Sequence, residues 1–125
     1  MILDGKSISN IILDEIKEEV NKLLVKPKLV VIQIGEDAAS NIYIKQKINM
    51  CKYIGYNYEY VKLDTNVDTD YVISIINKLN NDNNVTGILV QLPLSKDLDT
   101  YKIINTIDQS KDVDGLTDIN CGKLF

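Results

Sequence analysis

Histidine is missing altogether from this 125-residue chain. That one absence removes His-ligated zinc and every system in which an imidazole activates a serine or cysteine. Cysteine is scarce: Cys51 and Cys121 stand far apart and match no CxxC pattern, so they read as reduced thiols of a cytoplasmic protein. Basic charge is not in excess. Fourteen Lys and Arg against eighteen Asp and Glu leave a net charge of −4, which offers nucleic acid no electrostatic footprint and a membrane no polybasic segment. No apolar run approaches the ~20 residues that span a bilayer. The opening MILDGKSISN lacks the charged-then-apolar layout of a secretion signal. What is present is ordinary for a soluble globule: 45% hydrophobic and 26% charged residues, in a length that suits one domain with a real core.

Apolar periodicity sets out the elements. Ile8, Ile11, Ile12, Ile16, Val20, Leu23 and Leu24 recur at helical spacing over residues 7–24, with Glu15, Glu18 and Glu19 on the other side. Pro27 bars continuation of that helix. LVVIQIG (29–35) reads as a buried strand closed by glycine. Asp37 suits the N-cap of a helix running to about Ile54 and stopping at Gly55. YNYEYVKL (56–63) alternates as a strand does, and Asp68 suits the cap of a helix through Leu79, before the polar loop NNDNN. GILVQL (87–92) is a second strongly buried strand, ended by Pro93; a further helix around 99–107 leads to KDVDG at 111–115. Strand and helix alternate about four times, which predicts an α/β fold, a three-layer α-β-α domain with a mostly parallel central sheet. Ligands of such sheets sit beyond the carboxyl ends of the strands. Gly35–Glu36, Gln91–Leu92–Pro93 and the KDVDG loop fall at such ends.

Three features there can carry chemistry. On a helical wheel of residues 38–54, Ile44, Ile48, Cys51 and Ile54 form the apolar stripe. Ser40, Tyr43 and Lys47 lie along one border of it, Lys45 and Lys52 along the other. Tyr43 and Lys47 are i and i+4 and meet on the surface; they are either an amphipathic edge covering the core or the wall of a site. Gln91 sits inside a buried run, where an amide must find hydrogen-bond partners, either as a cap or as a site residue. A lysine held near such an amide, away from bulk water, has its pKa lowered and can trade protons, which is general acid–base work without histidine. In KDVDG, two carboxylates one residue apart project to opposite sides if the stretch is extended. One would then face solvent and the other the site, although an Asp-Gly turn alone is a weak signal.

Taken in order, LDGK (3–6), IGEDAASNIYIKQK (34–47), GILVQLPL (87–94) and KDVDGLTDINCGKL (111–124) resemble the N-terminal, folate-binding domain of the bifunctional methylenetetrahydrofolate dehydrogenase/cyclohydrolase family. The resemblance covers essentially the whole chain. It implies a tetrahydrofolate derivative as substrate: NAD(P)-dependent oxidation of its 5,10-methylene form to the 5,10-methenyl form, and hydrolysis to 10-formyltetrahydrofolate. Tyr43 corresponds to the tyrosine that stacks on the pterin, Lys47 to the catalytic lysine, and Gln91 to the glutamine that holds it. Asp114 corresponds to the carboxylate that binds the amino-pyrimidine edge, and Ser40 to the motif serine near the helix start. Leu92, Pro93 and Gly115 shape the loops beside the ligand. No metal is implied. A flat pterin favours an aromatic platform, and its donor edge favours a carboxylate.

The resemblance also implies a nicotinamide-binding Rossmann domain, with NADP or NAD as cofactor, and a cytoplasmic homodimer. No G-x-G-x-x-G turn occurs in these 125 residues. Residues 1–125 are therefore expected to be the folate-binding domain of a two-domain enzyme, holding half of its cleft, with hydride transfer absent and hydrolysis weakened. Ser95 stands where the family usually has a second proline. Two other readings remain at this point. One is a non-catalytic α/β ligand-binding or interaction domain. The other is a short-chain dehydrogenase fragment, on the Tyr-x-x-x-Lys spacing, which needs a glycine-rich turn that residues 1–35 lack.

Overall fold

A computed structural model describes residues 2–125. Three apolar runs become strands β1 (Lys28–Ile34), β2 (Asn57–Leu63) and β3 (Gly87–Val90), all parallel, in the order β2-β1-β3. The register pairs Val31 with Tyr60 on one side and with Leu89 on the other. Five helices accompany them: α1 (Gly5–Asn21), α2 (Ala38–Ile54), α3 (Thr69–Asn80), α4 (Thr100–Thr106) and α5 (Asp118–Gly122). Alternate residues of the buried strands face opposite sides of the sheet. Val30, Ile32, Ile88 and Val90 pack with Val72 and Ile76 of α3 and Ile103 of α4. Val31 and Leu89 pack on the other face against Ile44 of α2. This is the expected α/β layering with helices on both faces, around a wholly parallel sheet of three strands.

Local chemistry explains the boundaries of α2. The Asp37 carboxylate accepts from the Ser40 N–H at the N-terminus, and Gly55 closes the helix at φ +87°, where a side chain would be strained. Ile44, Cys51 and Ile54 are buried and Ile48 half-buried, so the apolar stripe is the one read from the wheel.

The first helix departs from its expected span. It begins at Gly5, because Asp4 caps it by accepting from the Lys6 and Ser7 N–H groups, and it ends at Asn21. Its Ile8, Ile11 and Ile12 are 47%, 59% and 49% exposed. Contact with α2 runs through the C-terminal half instead: Tyr53 donates to Asp14, Lys17 lies over the Tyr53 ring, and Val20 lies against Gly55. β2 is mostly exposed, with only Val61 and Leu63 half-buried, whereas the other edge strand, β3, is buried throughout. No fourth strand forms among the described residues; an isolated bridge from Ile88 to Asp112 stands in its place. No helix among them is long and apolar enough to cross a membrane.

Candidate functional site

The strand order places a reversal between β1 and β3. The chain leaves β1 through α2 on one face and reaches β3 through α3 on the other, so the two crossovers part above the carboxyl ends of these neighbouring strands. An open parallel sheet has its natural binding crevice at such a point.

The side chains singled out from sequence meet there. Lys47, two turns into α2, donates from Nζ to Oε1 of Gln91 at 2.8 Å. The Gln91 Nε2 donates to the Leu92 carbonyl at 3.3 Å, and the Ser40 hydroxyl reaches the same carbonyl at 3.4 Å. These bonds fix the amide orientation, since a flipped amide would set its oxygen against the Leu92 carbonyl and its NH₂ against the ammonium. β3 stops at Val90, earlier than the apolar run predicts, yet the Gln91 N–H still bonds Ile32 O of β1 at 2.9 Å. The glutamine is thus held by backbone as well as by side chain. Lys47 keeps two of its three N–H donors for water or ligand.

Tyr43, one turn before Lys47, is 56% exposed, whereas Ser40 is buried and Lys47 half-buried. Tyr43 is therefore an open aromatic face and not a cover for the core. Pro93 is exposed and follows a cis peptide bond. Beyond it, Leu92 shares an open hollow of about 430 Å³ with Tyr101, Ile104 and Leu116. That hollow joins the strand end to the segment after KDVDG.

KDVDG is not extended, as the two-sided reading of its carboxylates assumes. It is a turn: the Gly115 N–H bonds Asp112 O at 3.3 Å, and Gly115 has φ +68°, a conformation that glycine adopts without strain. Asp114 is exposed at the turn, whereas Asp112 is half-buried. Burial pushes the Asp112 carboxyl up, but bonds from Asn120, Thr117 and Leu116 outweigh it and hold the pKa below the ordinary value. Lys111 turns away from the site, donating to the carbonyls of Leu79, Asn80 and Asp82 at 2.8–2.9 Å. Sequence reasoning missed this support. Its available signals were Thr117, which caps α5, and the first aspartate of the motif.

Among the described residues no group of His, Cys, Asp or Glu is arranged to hold a metal ion. Every buried side-chain polar atom among them has a partner. Gln33, buried in β1, donates to Asn41 and accepts from the Tyr60 hydroxyl, which satisfies an amide that the sequence had left among aliphatics.

Comparison with known proteins agrees with this geometry. Residues 3–114 match the tetrahydrofolate dehydrogenase/cyclohydrolase catalytic domain. The bifunctional protein FolD of Hydrogenobaculum sp. is 46% identical over 99% of this chain, and that of Clostridium tetani 44% over 98%. The chain spans 45% and 46% of those two relatives, less than half of their length. Among solved structures, bifunctional FolD of Campylobacter jejuni superposes with a TM-score of 0.96 at 38% identity, covering 99% of this chain and 45% of that one. The Trypanosoma brucei enzyme, complexed with NADP cofactor and inhibitor, gives a TM-score of 0.92 at 28% identity, covering 99% and 43%. On a match that spans nearly all of its length and a fold that superposes throughout, the chain belongs to the tetrahydrofolate dehydrogenase/cyclohydrolase family.

Proposed function

We propose that residues 1–125 are the folate-binding, proton-transferring domain of a methylenetetrahydrofolate dehydrogenase/methenyltetrahydrofolate cyclohydrolase. The observation that carries the reading is the Lys47–Gln91 bond of 2.8 Å, which joins α2 to the end of β3 at the crevice. Tyr43 supplies an exposed aromatic platform for the pterin, and Asp114 a carboxylate for its donor edge. In hydrolysis, water adds to the cationic methenyl carbon and gives up a proton, which Lys47, having first passed one of its own protons to solvent, accepts directly or through a second water. The carbinol hydroxyl then gives up its proton as its oxygen becomes the formyl carbonyl, the carbon–N5 bond breaks and N5 takes up a proton, leaving the formyl group on N10 and one proton released overall. The amide of Gln91 holds the Lys47 nitrogen where that proton appears.

Nicotinamide dinucleotide does not fit the residues of this chain. Each helix that follows a strand end has its N-terminus filled by an aspartate of its own: Asp37 bonds the Ser40 N–H, Asp68 the Tyr71 N–H and Asp99 the Lys102 N–H. A pyrophosphate at those positions meets carboxylates in place of free N–H groups. Oxidation of the methylene form thus belongs to the two-domain assembly, to which this chain contributes the folate side. That assembly is a cytoplasmic homodimer without nucleic-acid or membrane partners.

Saturation-transfer NMR of the chain with 5-formyltetrahydrofolate tests the reading. Signal on the pterin protons, lost in Tyr43→Ala, is the expected result; no signal from the wild-type chain would favour a non-catalytic interaction module. In a two-domain enzyme carrying these residues, Lys47→Met should abolish hydrolysis while the pterin still binds.

A further inference from the structure

The Asp112 carboxylate touches neither Lys47, Gln91, Tyr43 nor Asp114, yet more donors converge on it than on that of Asp114. One oxygen accepts from the Thr117 N–H at 2.9 Å and from Asn120 Nδ2 at 2.9 Å; the other accepts from the Leu116 N–H at 3.3 Å. Its backbone is equally engaged. Asp112 bridges to Ile88 of β3, and its carbonyl accepts from the Gly115 N–H at 3.3 Å. Both strands of the short loop, the turn itself and the start of α5, are thereby tied to one side chain. On the far side, the Cys121 thiol donates to the Gly115 carbonyl at 3.3 Å. Asp114 has no comparable set of bonds and is exposed.

We infer that Asp112 is a positioning residue of the folate site, whose carboxylate fixes the turn so that Asp114 is presented to the donor edge of the pterin. This rests on the functional reading above. The physical reason is entropic. An exposed Asp-Gly turn samples many conformations, and a ligand must select the one in which the carboxylate is correctly placed. Three donors on the neighbouring carboxylate prepare that arrangement before the ligand arrives, which lowers the ordering cost of binding. An extended KDVDG would have pointed the two carboxylates apart with equal standing. The turn divides their work: one holds and the other binds.

A double-mutant cycle on the chain, read by calorimetric titration with 5-formyltetrahydrofolate, separates this role from plain scaffolding. Asp112→Ala should weaken binding by about tenfold or more, and Asp114→Asn by a similar factor. If Asp112 acts through Asp114, the double variant binds no more than about twofold worse than Asp114→Asn alone. Losses that multiply would show a general structural effect and overturn the inference. Wild-type affinity in Asp112→Ala would overturn it too. Should Asp112→Ala fail to fold, Asn120→Ala removes a single donor; it should weaken binding by about threefold, and not at all when Asp114 is already Asn. A wild-type chain that binds no folate overturns the functional reading and this inference with it. Binding that is intact in the wild type and unaffected by Asp114→Asn overturns the inference alone.

Discussion

Val113 presses its Cγ1 against the α-carbon of Gly87, so that any side chain at Gly87 would collide with it. The first residue of β3 and the middle of the KDVDG turn are therefore matched in shape. Gly87→Ala should force the turn outward and destabilise the chain by about 1–3 kcal/mol, as overpacking does. Urea unfolding measures the loss. Adding Val113→Ala to Gly87→Ala should recover most of it, because the collision is then gone. If the second change deepened the loss, the contact would not be its cause.

Lys111 closes the carboxyl end of α3 through three carbonyls. Lys111→Met keeps the length of the side chain and removes every donor. The charge-assisted bonds it breaks are worth about 2 kcal/mol of stability. A thermal melt indistinguishable from wild type would show that water replaces the ammonium without loss.

Acid should unfold this chain sooner than its size alone would suggest. Ser7 holds the Asp4 carboxyl below its ordinary pKa, Lys62 does so for Glu36, the Ser40 N–H for Asp37 and Ser110 for Asp108. Asp112 belongs with them, its hydrogen bonds overcoming the upward push of burial. In each case the folded chain binds its proton at lower pH than the unfolded chain does. The stabilisation is complete above the unfolded carboxyl range, near pH 4, and is lost as pH falls through the lower folded values. Urea midpoints should be level from about pH 7 to 5 and drop steeply below about 4. A midpoint unchanged at pH 3 would contradict this.

The two thiols should differ in reactivity. Cys51 is buried on the α2 stripe, and burial pushes its pKa up; thiolate is scarce and access poor. Cys121 is half-buried near the chain end. A disulfide reagent should label Cys121 first and reach Cys51 only as fast as the chain opens. Simultaneous labelling in native buffer would mean that the α2 face is less closed than described.

Much of the architecture was legible in the residues because the signals were local. Asp37 and Gly55 bracket α2 by chemistry that needs no tertiary contact, and the aliphatic runs of β1 and β3 allow little besides a buried strand. The first helix was less legible, since spacing reveals which residues share a face but not whether a neighbour covers it: Ile8, Ile11 and Ile12 share one and stay largely exposed. The five residues of α5 are too few to show a period. At the site, Lys47 and Gln91 could be paired by motif, but their contact across 44 positions is a product of strand order. The work of Asp112 depends on donors from the residues that follow it, and only the folded turn brings them to its carboxylate.

The exposure of Tyr43 and Asp114 has a kinetic meaning. In the proposed folate site, a pterin would have protein beneath it and water above it. It would arrive without waiting for a gate, so association should run at the rate of ordinary encounter. It would also leave without one. Affinity for the isolated chain is then governed by residence time, and whatever covers the outer side of the ligand acts chiefly by slowing its departure.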